Sequence, residues 1–131
     1  MEITTKGFET VKNYLLDMEY EIKHEDEAEG IIVIEKQDEG IFNLVLDCED
    51  SILVMEQSLF DVKQESPALY KELLMKNRDI VHGAFALDNG KILFRDTLQL
   101  ENLDKNELEG SINSLSLLMT EYADKLIEFS K

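Results

Sequence analysis

The last quarter of the chain limits its fold most. Leu108, Ile112, Leu115, Met119, Tyr122, Leu126 and Phe129 recur at spacings of 4-3-4-3-4-3. That period puts all seven on one side of an α-helix several turns long. Leu118, Ala123 and Ile127 widen the stripe. Its start is marked by Asp104 and Glu107. A short acceptor followed by Glu three residues on can satisfy backbone N–H groups of a first turn that have no partner within the helix. Leu103 and Leu108 flank that pair as a hydrophobic staple. So wide an apolar face has to be covered by a sheet, by a second subunit, or by both.

A sheet is supplied upstream. In "VHGAFALDNGKILFRDTL", residues 81–98, apolar residues alternate around Asn89-Gly90. Both central residues of a type I′ turn need positive φ, so Asn-Gly between alternating runs predicts a two-residue hairpin. The register follows: Leu87 faces Ile92, Phe85 faces Phe94, and Gly83 faces Asp96. These share a face with Val81 and Leu98, while His82, Ala84, Ala86, Leu93, Arg95 and Thr97 share the other. Arg95 and Asp96 therefore point apart and cannot belong to one catalytic cluster. His82 shares a face with Arg95 only as a diagonal neighbour, and reads as a surface or interface histidine. Asp96 is the odd residue on the apolar face. It can mark a bulge, reach the rim, cap a neighbouring backbone, or contact the start of the last helix.

The first half reads as a helix and a meander. Phe8, Val11, Leu15 and Met18 predict a helix from about Thr5 to Met18, with Gly7 weakening its first turn. Tyr20 and Ile22 alternate with polar residues. "IIVIEK", "IFNLVLDC" and "SILVMEQSLF" then give a meander, three or four short strands in all. Ser66-Pro67 announces a second helix, because serine caps well and proline is tolerated at the first helical position. Leu69 and Leu73 follow, and Asn77 closes it. No linker rich in Pro, Gly or Ser divides the chain, so one domain spans residues 1–131.

Charge and composition then exclude functions. Twenty-nine acidic residues against thirteen basic ones give −16. Such a surface repels phosphate backbones, so no nucleic acid partner is expected. A basic or amphipathic protein partner fits it, and so does plain solubility. No apolar run is long enough for membrane insertion. The N-terminus lacks the pattern of a signal peptide, and a lone cysteine, Cys48, fits a reducing compartment; both imply a cytoplasmic protein. Asp47, Cys48, Glu49 and Asp50 lack the spacing and the glycine of a calcium loop. His24, His82 and Cys48 make no zinc pattern. Neither a phosphate-binding loop nor a nucleophile elbow is present. The expectation is no enzyme, no cofactor, and no catalytic or metal-binding residue.

"SPALYKELLMKN" followed by "HGAFALDNGKILFRDTLQLENLDKNELEGSINSLSLLMTEYADKLI" resembles the class I type III secretion chaperones of the Tir-chaperone type and the related YbjN-type bacterial domains. Leu103, Glu107 and Leu108 match the segment that opens their final helix. The likeness covers about residues 60 to 130 well, and the first half matches mainly in element order. It implies an α+β fold in the order α-β-β-β-α-β-β-α, with an antiparallel sheet packed on N- and C-terminal helices. It also implies a small acidic homodimer that works without nucleotide hydrolysis and holds an extended segment of another protein. On that reading Phe8, Val11 and Leu15 of helix one, and Ile32, Ile34 and Phe42 of the strands, are candidate partner contacts. Each also reads as simple core. The alternative function is a regulatory or sensory domain, binding a signalling partner or a small ligand held between the last helix and the sheet. A dimer interface is expected from Leu69, Tyr70, Leu73 and Leu74 of helix two with Ala84 and Ala86, whose small side chains let another backbone approach.

Overall fold

The computed structural model describes the backbone of residues 2–131 and the side chains from Gly7 onward. Helix α1 (Glu2–Asp17) leads into strands β1 (Glu21–Asp26), β2 (Ile31–Lys36), β3 (Ile41–Glu49) and β4 (Ile52–Asp61), with a 3-10 turn at Gln37–Glu39 between β2 and β3. Helix α2 (Pro67–Asn77), the hairpin β5 (Ala84–Asp88) and β6 (Lys91–Gln99), and helices α3 (Lys105–Glu121) and α4 (Ala123–Phe129) complete the chain. The six strands form one antiparallel sheet in the order β1-β2-β3-β4-β6-β5.

Two features refine the expected order. Four strands precede α2, the upper of the three or four expected and one more than the order α-β-β-β-α-β-β-α. The weakly marked one is β1, "EIKHED", in which Ile22 alone is apolar. It lies at the sheet edge, where charged side chains prevent pairing with other chains, so its polarity hides it. The last helix also divides. Tyr122, at φ −114 and ψ 13, leaves helical geometry between α3 and α4. Its ring packs 6.2 Å from both Phe85 and Phe129, and Phe129 lies 6.1 Å from Phe60. A straight rod of this length would drift off a twisted sheet. The break keeps Leu126 and Phe129 against it, so the stripe continues through a bend.

Register sorts the strand residues into two faces. Ile32, Ile34, Leu44, Leu46, Leu53, Met55, Ile92 and Phe94 face the helices and are buried. They meet Phe8, Val11 and Leu15 of α1 and Leu108, Ile112 and Leu115 of α3 in one core. Each such side chain contributes about 1.5–3 kcal/mol when fully buried. The opposite face carries Val33, Val45, Val54, Glu56, Leu93, Arg95 and Thr97. Val54 and Leu93 are buried there, yet they lie outside that core.

Local signals act as the chemistry requires. Asn89 and Gly90 take φ 50 and 75, and Phe85 pairs with Phe94 and Leu87 with Ile92. The ladder stops at Ala84 with Arg95, so the expected pairing of Gly83 with Asp96 is not made. Gly83 turns away at φ 82 against the Phe94 ring, where a Cβ would fall 2.5 Å from Cζ. Ser66 Oγ accepts from Leu69 N at 3.3 Å. The α3 capping box forms in both directions, at 2.8 and 3.1 Å. Helix α1 starts earlier than expected. Gly7 is therefore inside it, in close contact with Leu100, and not in its first turn.

Candidate functional site

The polar residues that drew attention in the sequence are structural ties. Asp96 Oδ2 accepts a short hydrogen bond from Ser111 Oγ in α3, and Oδ1 accepts from Thr97 N at 2.9 Å. Of the alternatives for Asp96, two are met: it caps a neighbouring backbone N–H, and it contacts the last helix, six residues past its first. Ser111 is fully buried and also contacts Met55 Sδ at 3.5 Å. His82 is exposed. Its backbone N donates to Ser114 Oγ at 3.1 Å, and the same hydroxyl donates to His82 O at 2.8 Å. Arg95 pairs with Glu56 at 2.7 Å on the other face. His82, Arg95 and Asp96 thus engage three different partners and form no cluster.

Among the described residues, Asp47 and Cys48 carry the large pKa shifts. Burial first, then the hydrogen bond and charge of Glu49 with the charges of Glu56 and Glu29, raise the Asp47 carboxyl from 3.8 to about 6. Burial, helped by Asp47, pushes the Cys48 thiol up to about 11, which keeps it protonated and inert at neutral pH. Among the described residues no group of His, Cys, Asp and Glu is placed to hold a metal ion.

Apolar surface is what the molecule does present. Of the candidate partner contacts, Phe8, Val11, Leu15, Ile32 and Ile34 are at most 1% exposed and line the core between α1 and the sheet. Their burial fits the core reading of each. Phe42 alone reaches solvent, at 43%. Gln57, buried in β4, fixes it there: its Oε1 accepts from Phe42 N at 2.9 Å and its Nε2 donates to Gly40 O at 3.1 Å. Gln57 is the residue the sequence reading missed. Its one signal is a polar side chain at the inward parity of β4, between Met55 and Phe60. Around Phe42 lies an open groove of about 410 Å³ between the start of β3 and the α3–α4 bend, lined also by Leu59, Met119, Ala123, Leu126 and Ile127.

A second apolar region lies at the β5 edge. Tyr70, Leu73, Leu74 and Ala86, four of the expected interface residues, line one concavity of about 220 Å³ with Leu87. Leu74 is 69% exposed, whereas Leu73 is buried against the core. Leu69 is partly buried, and Ala84 lines a separate shallow depression beside Arg95 and Thr97. Asn77 Oδ1 accepts from Phe85 N at 2.7 Å and so binds α2 to the outer edge of β5.

The described residues thus present an α+β fold with two apolar concavities at its surface. The CesT_Tir_1 model, that of the Tir chaperones, matches residues 4–131, and the chain belongs to this family. Solved structures share the fold. A chain of the HopA1-SchA chaperone–effector complex is 14% identical, with 95% of this chain and 98% of that one covered at a TM-score of 0.69. A chain of the ExsC-ExsE complex is 17% identical, with 96% and 97% covered at 0.69. YbjN from E. coli is 12% identical, with 90% and 92% covered at 0.67. At these identities the likeness is one of fold. Comparison with curated proteins gives no match. Among the described residues no helix is long and apolar enough to cross a membrane.

Proposed function

We propose that this chain is a non-enzymatic module that holds a segment of a partner polypeptide, and that it works in the cytoplasm as a homodimer. One observation carries the reading. On a chain of net charge −16, apolar side chains more than half exposed line two hollows beside α2: Leu74 with Leu87 of β5, and Val81, just before β5, with Leu117 of α3. Exposed apolar surface that gathers in this way marks an interaction site. Membership of the Tir chaperone family, and the chaperone complexes among the structural neighbours, support the same reading. The concavity at Tyr70, Leu74, Ala86 and Leu87 is the surface offered to a second copy, which leaves the groove at Phe42 free.

The small-ligand alternative needs space between the last helix and the sheet. Leu108, Ile112 and Leu115 fill the first half of that interface at 0% exposure, so such a ligand would have to use the groove at Phe42. Purification of the tagged chain under native conditions from the cell that makes it tests the choice. A polypeptide recovered in stoichiometric amount is the expected result. A chain that comes alone, and whose melting temperature is raised by a metabolite, would replace this reading with the ligand-sensing one.

A further inference from the structure

We infer that the groove at the α3–α4 bend is a docking site for a partner polypeptide segment with apolar side chains flanked by lysine or arginine; this rests on the polypeptide-holding reading and assigns it a place and a chemistry. The groove is built before any partner arrives. Gln57 pins both Gly40 and Phe42. Ser116 Oγ donates to Glu39 O at 2.7 Å and clamps the 3-10 turn onto α3. Gly40 sits so close to Met119 that a Cβ would come within 2.5 Å of the methionine Cβ. The walls are therefore fixed by the Gln57, Ser116 and Met119 side chains on the backbone of residues 39–42. Phe42 and Ile127 nevertheless remain 43% and 57% exposed across the opening.

The lining selects the ligand class. Thr120 Oγ1 donates to Ser116 O at 2.9 Å, and Ser130 Oγ donates to Ile127 O at 2.6 Å. Among the described residues no buried side-chain nitrogen or oxygen lacks a partner. Small-molecule sites depend on a few convergent polar groups to orient their ligand; here the two hydroxyls are engaged by the backbone, and Gln37 and Asp38 are the other polar side chains of an otherwise apolar lining. What it recognises is apolar side chains. Its volume, about 410 Å³, lies within the usual range for ligand pockets.

The border selects the sign. Asp38 lines the groove, and Asp124 and Glu128 stand exposed beside its α4 residues. Of the neighbouring cations, Lys36 is held by Glu39 at 2.8 Å and Lys125 by Glu72 at 3.8 Å, on a chain of net −16. A second copy would bring the same acidic border against this one. A segment with basic flanks would meet attraction at the border and apolar contact within, as amphipathic helices do in grooves.

Fluorescence anisotropy on the full chain tests this with two labelled peptides of about 16 residues, each with leucines at helical i, i+3 and i+4 spacing, one flanked by lysines and the other by glutamates. The wild type should bind the lysine-flanked peptide at least about tenfold more tightly than its glutamate-flanked twin, with affinity falling as salt rises. Phe42→Glu and Ile127→Glu should each weaken that binding about tenfold or more, while Leu16→Glu, equally exposed on α1, should leave it unchanged. Phe42→Ala repeats the test with no added charge, and circular dichroism confirms that each variant is folded. Equal affinity for the two peptides, or binding indifferent to Phe42 and Ile127, would overturn the groove and leave the polypeptide-holding reading in place. So would failure of both peptides to bind a chain that still captures its native partner. Failure of both, with no partner captured from the cell, would overturn the holding reading itself.

Discussion

Asp96 shows what a single residue can and cannot announce. Strand parity places it on the apolar face, so a partner above the sheet is required. Which residue of the last helix lies there is a matter of helix packing, to which strand parity is blind. The partner is Ser111. Ser111→Ala should therefore cost about 1–3 kcal/mol by leaving a carboxylate short of a donor. Urea titration should show this as a lower midpoint at unchanged slope. No loss would mean that water replaces the serine freely. Asp47 gives a second test. Its folded-state pKa, about 6, is raised above the ordinary 3.8, so the folded chain holds this proton more tightly than the unfolded one. The resulting penalty is complete above pH 6, shrinks as pH falls, and is gone below 3.8. Asp47→Asn should therefore melt higher than wild type at pH 7.5, and its advantage should fade through pH 6 to 4. An advantage that stays constant over that range would show that the strain at Asp47 is not titratable.

At the scale of elements, periodicity was the most legible signal. The hairpin register, the capped starts of α2 and α3, and the C-terminal stripe are all local patterns, and local patterns are written in adjacent residues. The α3–α4 bend was not legible. Neither glycine nor proline marks it, and the twisted sheet beneath dictates where the rod must turn. The same limit hid the 3-10 turn, whose place depends on Met119 across space. Two glycines separate local from tertiary demands. Gly40 and Gly90 have nearly equal φ, 76 and 75, but a Cβ at Gly90 meets nothing within 4 Å. Gly90→Ala should cost about 1–2 kcal/mol, the backbone penalty alone. Gly40→Ala should cost more, because the Met119 Cβ and Cγ, at 2.5 and 3.2 Å, leave no room. Equal melting temperatures for the two variants would show that α3 yields readily and that the groove wall is soft.

For the whole molecule, the open question is how an acidic chain keeps apolar side chains at its surface. The sequence points to α2 and the hairpin for a dimer, because small and apolar residues are conspicuous there. It could not show that Leu73 turns inward while Leu74 turns out, a difference set by how α2 rolls against β5. An interface at the β5 edge should be mainly apolar and of standard size, about 1,200–2,000 Å² in total. In a two-fold contact each substitution acts twice. Light scattering should show a mass near twice 15.1 kDa for the wild type, falling to one chain in Leu74→Glu and in Ala84→Arg. A dimer that survives both changes would place the interface elsewhere.

Native mass spectrometry of the assembly purified from the cell that makes it tests the polypeptide-holding homodimer most directly, because it counts copies and partner together. The predicted result is two 15.1 kDa chains carrying a further polypeptide, with that polypeptide lost and the pair of chains retained in Ile127→Glu. A lone 15.1 kDa chain with nothing bound, at the concentration found in the cell, would contradict it.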